Sequence, residues 1–400
     1  MSTSNKKRVA VVCTFAFPEG LAASTRIISY LKGLSELGVD TDVFIYRPTE
    51  LHNSPDVYPI EGVVSGVKYH YPNTRKYSKY KLLRVLGKFY YWGVTCWNIY
   101  KANKKSKIDY LLISNDFLDI LYLFTFWCKI IGVKTAFITD EYPEPIRVHL
   151  KDRIPSWKKR MYDFILKRQD SLIFMTDKLN IFFNSTLKKP YHILPTITDT
   201  TRFENIMQKE NTTKYLCYMG NMELSKDNVD NIIKAFALIA DDFQDIEFHL
   251  YGAPSAKDRA FIENIIDSLN LAQRVFIKGR VDSTQVPEIL ANAHILVSSQ
   301  PNSKRAEGGF PTKLGEYMAT GVPTILTDVG EISQYVQDGK HVHIVPPENH
   351  VLYAERLKYI LNNYSECLRI AKDAKVYLKD NFDYRPISKR LKDFIDTRIG

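Results

Sequence analysis

Strand-like and helix-like segments alternate along this chain, and the alternation forms two successive blocks. Apolar, β-branched runs such as Val9–Phe15, Tyr110–Ser114 and Tyr215–Met219 have the pattern of buried parallel strands. Segments with apolar residues at helical spacing, such as Val229–Ala240, lie between them. Two alternating blocks favour two doubly wound parallel sheets. We therefore predict an α/β protein with two Rossmann-like, doubly wound parallel-sheet domains that face a central cleft.

The length of 400 residues suits two domains of about 200 residues each. A polar stretch that follows Pro195, near Asp199–Thr213, predicts the linker. We place the N-terminal domain at residues 1–203 and the C-terminal domain at residues 204–383. Residues 384–400 are predicted to form a helix that packs back on the N-terminal domain. Ligands in such folds bind at the carboxyl ends of the strands.

The composition, with 45% hydrophobic and 25% charged residues, is typical of a soluble globular protein. Phe117–Gly132 is the most apolar segment, but Asp119 and Lys129 interrupt it, so we predict a buried helix there. The first residues, MSTSNKKR, leave no room for a signal peptide before the first strand, which predicts a cytoplasmic protein. The five cysteines lack zinc or redox spacing and are predicted to be reduced core residues.

The stretch Arg75–Lys107 contains ten Lys or Arg residues and no Asp or Glu, with aromatic residues between them. This mixture suits an anionic membrane surface, where basic side chains and aromatic rings both bind at the headgroups. It also fits a solvated basic helix whose aromatic residues pack inward, or a nucleic-acid surface. We favour the membrane over the other two and predict no nucleic-acid partner.

The segment from Glu307 to Leu326 is the richest in chemistry. We interpret it as a polar loop that ends in Gly308 and Gly309, followed by a helix that starts near Pro311. Glycines before a helix let a ligand approach the backbone, and the free N–H groups of the first turn can bind an anion. An ordinary loop-to-helix entry with an N-terminal proline is the alternative.

Three side chains of this predicted helix suit a nucleotide ligand. Thr312 and Lys313 would add a hydroxyl group and a positive charge to a diphosphate. Glu316, one turn later, would accept hydrogen bonds from the two hydroxyls of a ribose. Gly321-Val-Pro323 is predicted to end the helix and turn into the next strand.

This segment resembles the signature of retaining family 4 glycosyltransferases, which have the GT-B fold. The signature is a Glu, seven intervening residues, a second Glu, and a Gly-x-Pro turn before a strand. Glu316 matches the second Glu, which the resemblance assigns to the nucleotide ribose. Gly308 occupies the position of the first Glu, which contacts the donor sugar. Either a shift of one residue lets Glu307 serve there, or this contact is lost.

Two further segments resemble the family. Gly220–Lys226 is similar to a Gly-Arg…Lys segment that grips the donor diphosphate. Lys226 matches, whereas Asn221 replaces the Arg and removes a bidentate phosphate contact. Lys226, the loop amides and Arg305 are then expected to bind the phosphates. Pro195–Phe203 is similar to the family's linker motif. The donor-binding residues that the resemblance implies are Gly220, Asn221, Lys226, Gly252, Gly279, Gly308, Gly309, Phe310, Thr312, Lys313 and Glu316.

The N-terminal half resembles the family more faintly. Pro18-Glu-Gly20 with Thr25 and Arg26 is similar to a flexible loop beside the acceptor and the diphosphate. Asp140–Pro143 is similar to a short motif in which a basic residue lies near the reacting carbon. Thr139 occupies the basic position here. Asp140 and Glu307 are the predicted catalytic residues, and Gly20, Thr25, Arg26 and Glu141 are the predicted acceptor-side residues. Alternatively, Asp140 caps a turn before Pro143.

The resemblance implies that residues 1–203 bind an acceptor and residues 204–383 bind a UDP- or GDP-linked sugar. The expected reaction is retaining transfer of that sugar to a glycan or lipid-linked saccharide. Pro311–Tyr317 is similar to members that make capsular or O-antigen-type polysaccharides. Metal ions and cofactors are not expected, and Asp241-Asp242 is interpreted as solvated surface. A nucleotide-sugar epimerase of the same fold and a non-catalytic GT-B subunit are the alternatives.

Overall fold

The structure is a computed structural model that describes residues 6–20, 22–55, 57–206 and 213–399. It divides into two compact units, one made of residues 1–197 with 384–400 and the other of residues 198–383. We call them the first and the second unit. The predicted linker lies at their border, and its residues 207–212 lie outside the described part of the chain.

The border between the units lies at Ile197, earlier than the predicted residue 203. Thr198 belongs to the second unit because its N–H group donates to the carbonyl oxygen of Phe382 over 2.9 Å. The Thr200 hydroxyl likewise donates to the buried Asp383 carboxylate over 2.5 Å. Backbone pairing and a buried hydrogen bond therefore fix this short segment to the second unit.

The first unit contains an eight-stranded sheet of order β3-β4-β2-β1-β5-β6-β7-β8, parallel except for β3. Its strands are β1 (Arg8–Cys13), β2 (Asp40–Ile45), β3 (Glu61–Val64), β4 (Val67–His70), β5 (Tyr110–Ser114), β6 (Lys134–Thr139), β7 (Ser171–Phe174) and β8 (Tyr191–Ile193). Its helices before the border are α1 (Ala22–Glu36), α2 (Lys81–Lys105), α3 (Leu118–Ile130), α4 (Glu144–Arg147), α5 (Ser156–Leu166) and α6 (Asp177–Asn184). The hairpin of β3 and β4 was not predicted, because β3 is short and largely exposed.

The second unit contains a six-stranded, all-parallel sheet of order β11-β10-β9-β12-β13-β14. Its strands are β9 (Lys214–Met219), β10 (Ile246–Tyr251), β11 (Val275–Gly279), β12 (Ile295–Val297), β13 (Thr324–Thr327) and β14 (His343–Val345). Its helices are α7 (Leu224–Asp227), α8 (Val229–Ala237), α9 (Ala256–Ser268), α10 (Val286–Ala291), α11 (Lys304–Gly308), α12 (Thr312–Thr320), α13 (Ile332–Tyr335), α14 (His350–Asn362) and α15 (Tyr364–Asn381), after a 3-10 turn at Thr200–Phe203. The two-sheet α/β fold is thus confirmed.

The last helix, α16 (Tyr384–Ile399), returns to the first unit and packs on α1. Its buried apolar residues Ile387 and Leu391 join the core of that unit. The two helices approach closely at Gly33 of α1, where a Cβ would lie 2.5 Å from the Cβ of Ser388. A glycine at this crossing therefore lets the returning helix close the core.

The basic stretch Arg75–Lys107 does not behave as one surface. Arg75 is buried, its guanidinium group paired with Glu50 over 2.5 Å, so it is a structural residue and not part of a basic face. The second half of α2 packs on the core through buried Cys96 and Ile99, whereas Lys81–Tyr90 is almost wholly exposed. The interpretation with inward-packed aromatic residues is therefore wrong for the first half of the helix.

The predicted buried helix at Phe117–Gly132 is α3, with Leu121 and Phe124 buried. All five cysteines are buried and unpaired, as predicted. Within the described residues, no helix is both long and apolar enough to span a membrane.

Candidate functional site

The helix α12 begins and ends where the sequence pattern predicts. Pro311 precedes its first residue, Thr312, and the missing proline N–H costs nothing at a helix start. Gly321 ends the helix in the left-handed region, with φ of 75°, a conformation that favours glycine. The carboxylate of Glu316 lies one turn into the helix and is partly exposed. This segment therefore presents a free helix start together with a carboxylate.

Three predicted glycines lie at the carboxyl ends of β9, β10 and β11. The N–H of Gly252 donates to the carbonyl oxygen of Gly279 over 2.8 Å, and the N–H of Gly220 donates to that of Tyr251 over 3.0 Å. Gly252 has φ of 146°, and a Cβ on it would overlap the carbonyl oxygen of Gly220. Only glycine fits there, so the sheet ends in close-packed backbone at this position.

Lys313 of α12 reaches the loop after β9. Its Nζ lies 2.9 Å from the position that a Cβ on Gly220 would take. The same Nζ donates to Asp227 over 2.8 Å and to the hydroxyl of Tyr218 over 3.2 Å. The predicted charge for a diphosphate is therefore neutralised by a buried aspartate. The structure does bring Gly220 and Lys313 together, as a ligand-binding role requires.

The Asp227 carboxyl is buried yet ionised. Burial alone would raise its pKa, but the charge of Lys313 and the hydrogen bond from it outweigh burial and hold the pKa below its usual range. The sequence analysis missed Asp227, which directly follows Lys226 at the end of the short helix α7. The signal for Asp227 in the sequence was an acidic residue directly after a basic one, in a loop that begins with a glycine.

The polar loop predicted before Gly308 is wrong, because Lys304–Gly308 forms the short helix α11. The hydroxyl of Ser303 starts the helix by accepting from the N–H of Ala306. Glu307, the predicted catalytic acid, lies on this helix, and its carboxylate accepts from Lys304 over 2.6 Å. Arg305 donates to Glu223 over 2.6 Å, which joins α11 to the loop after β9.

The residues that join α11 to α12 have different surroundings. Gly308 is the buried last residue of α11, and Gly309 follows it as the helix cap. The ring of Phe310 is buried against Tyr335 and Phe382, and the predicted part of this residue in donor binding stays a prediction. Phe310 anchors the start of α12 in the core.

Glu316 has a partner that the sequence analysis did not assign. Its Oε1 accepts from the guanidinium group of Arg202 over 2.6 Å, and Arg202 also donates to the carbonyl oxygen of Ser283 over 3.1 Å. Arg202 lies in the segment Pro195–Phe203, which resembles the linker motif of the family. The arginine thus orients the carboxylate and joins the 3-10 turn to the loop after β11.

The remaining predicted donor residues lie in the loop after β9. Asn221 is exposed, and Lys226 lies on α7, next to the Asp227–Lys313 pair. Burial would raise the pKa of Glu223 in this loop, but the hydrogen bond from Arg305 lowers it. One edge of the second unit therefore collects charged groups of both signs around glycine backbone.

Arg26 is the most unusual of the predicted acceptor-side residues. It is buried in α1, and its Nη2 donates to the carbonyl oxygen of Leu194 over 2.6 Å. Its Nη1 is also buried and has no hydrogen-bond partner among the described residues. Burial lowers the pKa of this guanidinium group, while the nearby charge of Asp140 opposes the shift. The Arg26 guanidinium group therefore lies within electrostatic range of Asp140, one of the predicted catalytic residues.

The loop that carries Gly20 folds tightly against the start of α1. The Ser24 hydroxyl donates to the carbonyl oxygen of Ala16 over 2.5 Å, and a Cβ on Gly20 would overlap that hydroxyl. The Thr25 side chain is partly buried, and its carbonyl oxygen accepts from Ser29 over 2.8 Å. These contacts order the loop beside Arg26.

Two carboxylates and an arginine lie near Asp140 at the end of the first sheet. Arg147 donates to Glu141 over 3.3 Å and to Asp116 over 3.4 Å. Burial raises the pKa of Asp116, with the charge of Arg147 acting in the opposite direction. Asp116 and Arg147 were missed by the sequence analysis. The signal for Asp116 was a polar pair just after the buried strand β5.

Among the described residues, no three His, Cys, Asp or Glu side chains group as a metal site would require. Asp242 pairs with Lys358 on the surface, with more than half of the Asp242 side chain exposed.

A family model matches the part of the chain that carries this site. Residues 199–377, somewhat under half of the chain, match the family model described as "Glycosyl transferases group 1". The matched residues lie within the second unit. They include Gly220, Lys226, Lys313, Glu316 and Arg202.

The fold is shown by solved structures. Sucrose-phosphate synthase from Thermosynechococcus elongatus matches with a TM-score of 0.75 at 15% identity, over 98% of this chain and 99% of that chain. Anabaena Alr3699/HepE in complex with UDP and glucose matches with a TM-score of 0.70 at 12% identity, over 97% and 99%. The fold is thus GT-B, the architecture that the sequence resemblance implied.

A curated relative is similar to part of the chain. Poly(ribitol-phosphate) alpha-N-acetylglucosaminyltransferase of Staphylococcus aureus (strain COL) is 24% identical over 169 residues. The match covers 42% of this chain and about a third, 32%, of the relative.

Proposed function

We propose that this protein is a retaining glycosyltransferase of the family 4 type that transfers a sugar from a UDP- or GDP-linked donor to a glycan or lipid-linked saccharide. The observation that carries the proposal is the edge of the second unit. There a free helix start, a positioned carboxylate and close-packed glycine backbone lie together inside the part of the chain that matches the glycosyl transferases group 1 family model.

The donor diphosphate would bind at the first turn of α12, where the N–H groups of Thr312 and its neighbours attract an anion. Lys226 and Asn221 of the loop after β9 would face the same group. Lys313 would contribute only as part of its ion pair with Asp227, because Asp227 already neutralises its charge. No metal ion is needed in this proposal, since amides and basic side chains stabilise the phosphates.

Glu316 would accept the ribose hydroxyls, held in place by Arg202. Gly252 and Gly279 would let the base approach the sheet edge. Catalysis would come from stabilising the leaving diphosphate and from positioning the acceptor. Glu307 would contact the donor sugar after exchanging its bond from Lys304.

The acceptor would bind the edge of the first unit, where Arg26, Asp140 and Glu141 lie. The Nη1 of Arg26 is buried, so a contact between it and the acceptor would require a local rearrangement. The Staphylococcus aureus relative is named for transfer of N-acetylglucosamine to poly(ribitol-phosphate), which supports a cell-surface polymer such as a capsular or O-antigen-type glycan as product. The enzyme would then act in the cytoplasm, at the inner face of the membrane.

The donor class is tested by a thermal-shift panel of UDP, GDP, ADP, CMP and their common sugar conjugates. A donor ligand at a hundred times its Kd stabilises a protein by about 2.7 kcal/mol. UDP is the first candidate, because the Anabaena neighbour was solved with UDP. If no nucleotide or nucleotide sugar in the panel raises the unfolding temperature, the proposal is contradicted.

The ribose contact is tested by Glu316→Ala, with Glu263→Ala on the surface of α9 as the matched control. Losing two hydrogen bonds to a charged group, at about 1.5–3 kcal/mol each, predicts a donor Kd that rises roughly a hundredfold or more. An equal Kd for both variants would refute the assignment of Glu316. Donor binding without turnover of any acceptor would favour a non-catalytic subunit, and donor conversion without acceptor would favour an epimerase.

A further inference from the structure

The first half of α2 is a helix with almost no support from the core. In Lys81–Tyr90 every residue is exposed except Gly87, which is partly exposed. A helical segment as short as Lys81–Tyr90 is marginal in water unless tertiary contacts stabilise it. The second half packs on the core through Cys96 and Ile99, so the helix is anchored at one end only. The exposed half therefore needs a partner to bury its apolar residues.

Its apolar side chains form a continuous row. Leu82, Leu86 and Phe89 follow one another at the four- and three-residue spacing of one helix face. They are 70%, 58% and 65% exposed. Leu83 and Tyr90 extend the row along one side, with 53% and 57% exposure. An exposed apolar row of this kind marks an interaction surface more often than a solvated helix.

Basic side chains form a second row on the same half of the helix. Lys81, Arg84 and Lys88 also follow at three- and four-residue spacing, so they lie on one face, roughly a third of a turn around the helix from the apolar row. No Asp or Glu occurs anywhere from residue 75 to residue 107. Asp119 at the start of α3 pairs with Lys88 over 2.7 Å, which leaves Lys81 and Arg84 as the outer charges.

The charge pattern decides which partner fits. An apolar row beside a row of cations, without any acid, is complementary to a surface that is apolar inside and anionic outside. An anionic membrane has this arrangement, because its charged headgroups lie outside its apolar acyl chains. A second copy of the same face would instead bring the two basic rows together and repel.

We propose that residues 81–90 of α2 lie in the headgroup region of an anionic membrane, with Leu82, Leu86 and Phe89 facing the acyl chains. Lys81 and Arg84 contact the lipid phosphates. The second half of the helix connects this contact to the sheet of the first unit. The proposal concerns lipid binding alone and stands whether or not the protein transfers a sugar.

Flotation of the full chain with vesicles tests it. Phosphatidylcholine vesicles that contain phosphatidylglycerol should carry the protein, whereas pure phosphatidylcholine vesicles should not, and salt should weaken the binding. The variant Leu82→Gln/Leu86→Gln/Phe89→Gln keeps good helix formers and should bind roughly a hundredfold more weakly or worse. Lys81→Gln/Arg84→Gln should weaken binding about fivefold for each charge removed.

The matched control is Ile181→Gln/Val351→Gln/Val376→Gln, which removes three side chains that are 60%, 49% and 64% exposed elsewhere. It should bind vesicles as the unchanged protein does. Equal binding by the apolar-row variant, or no binding of the unchanged protein to anionic vesicles, would overturn the proposal. Light scattering that shows a dimer lost in the apolar-row variant, without vesicle binding, would assign the face to a second copy instead.

Discussion

The two sheet edges use charge and backbone in different ways. At the edge of the second unit, glycine backbone packs closely, and the ion pair of Lys313 and Asp227 lies beside it at Gly220. At the edge of the first unit, a buried guanidinium group lies within electrostatic range of Asp140, and its Nη1 has no hydrogen-bond partner among the described residues. The second edge thus combines close-packed backbone with a paired charge, whereas the first buries a charged group that is only partly paired.

This difference indicates how each edge responds to change. A close-packed backbone edge leaves no room for an added atom, because protein interiors are as dense as organic crystals. A charged edge with partly exposed partners can rearrange, since Arg147 contacts both Asp116 and Glu141. We therefore expect the largest losses of stability at the second edge and smaller, pH-dependent ones at the first.

The largest expected effect is that of Gly252→Ala. The new Cβ would overlap the backbone oxygen of Gly220, so the free energy of unfolding should fall by more than about 4 kcal/mol. Gly279→Ala is the matched control, because φ there is 80° but nothing lies within 4 Å of a Cβ. It should cost about 1 kcal/mol. Urea denaturation measures both, and equal losses would show that the close approach of Gly252 to Gly220 does not set the cost.

Asp227→Asn comes next. It leaves the partly buried Lys313 ammonium without its counter-ion, which should cost up to about 3–5 kcal/mol of stability. Asp230→Asn removes an aspartate that pairs with Lys234 across one turn on the surface and should cost about 0.5 kcal/mol or less. Thermal unfolding of both variants checks the difference. A small loss for Asp227→Asn would mean that the second edge tolerates rearrangement as the first does.

The smallest expected effect is a difference in pH dependence. Burial raises the pKa of Asp116, so its contribution to stability is present below the unfolded pKa of about 3.9 and declines as pH rises through the folded-state pKa. Lys313 lowers the pKa of Asp227 despite burial, so that contribution is present above about 3.9 and declines as pH falls.

Asp116→Asn should therefore gain stability relative to the unchanged protein as pH rises above about 4. The deficit of Asp227→Asn should shrink as pH falls below about 4. Urea unfolding between about pH 3 and pH 6 measures both trends. Trends of the same sign in the two variants would contradict the assignment of opposite roles to these carboxylates.

The fold was predictable because parallel strands buried on both faces are continuous apolar runs, and the helices between them keep their own spacing. The segments of the second edge were predictable for a related reason. A ligand that is bound by backbone requires glycines and a helix start, which are adjacent in sequence, as in Gly308–Glu316.

The pairings were not predictable in the same way. Arg202 and Glu316, or Asp116 and Arg147, are far apart in sequence and meet only through the fold. The short helix α11 was missed because its capping residue Ser303 lies in a polar stretch that also has the composition of a loop. The core position of the Phe310 ring was not predicted, because the sequence does not show which side chain of a loop-to-helix entry turns inward.

The return of α16 to the first unit makes that unit discontinuous along the chain. Ile387 and Leu391, which complete its core, leave the ribosome only after all of residues 198–383 have been made. The second unit can therefore fold while the first still lacks part of its core. N-terminal domains usually fold first during synthesis. In this protein the final packing step of the first unit instead comes after the second unit has been made.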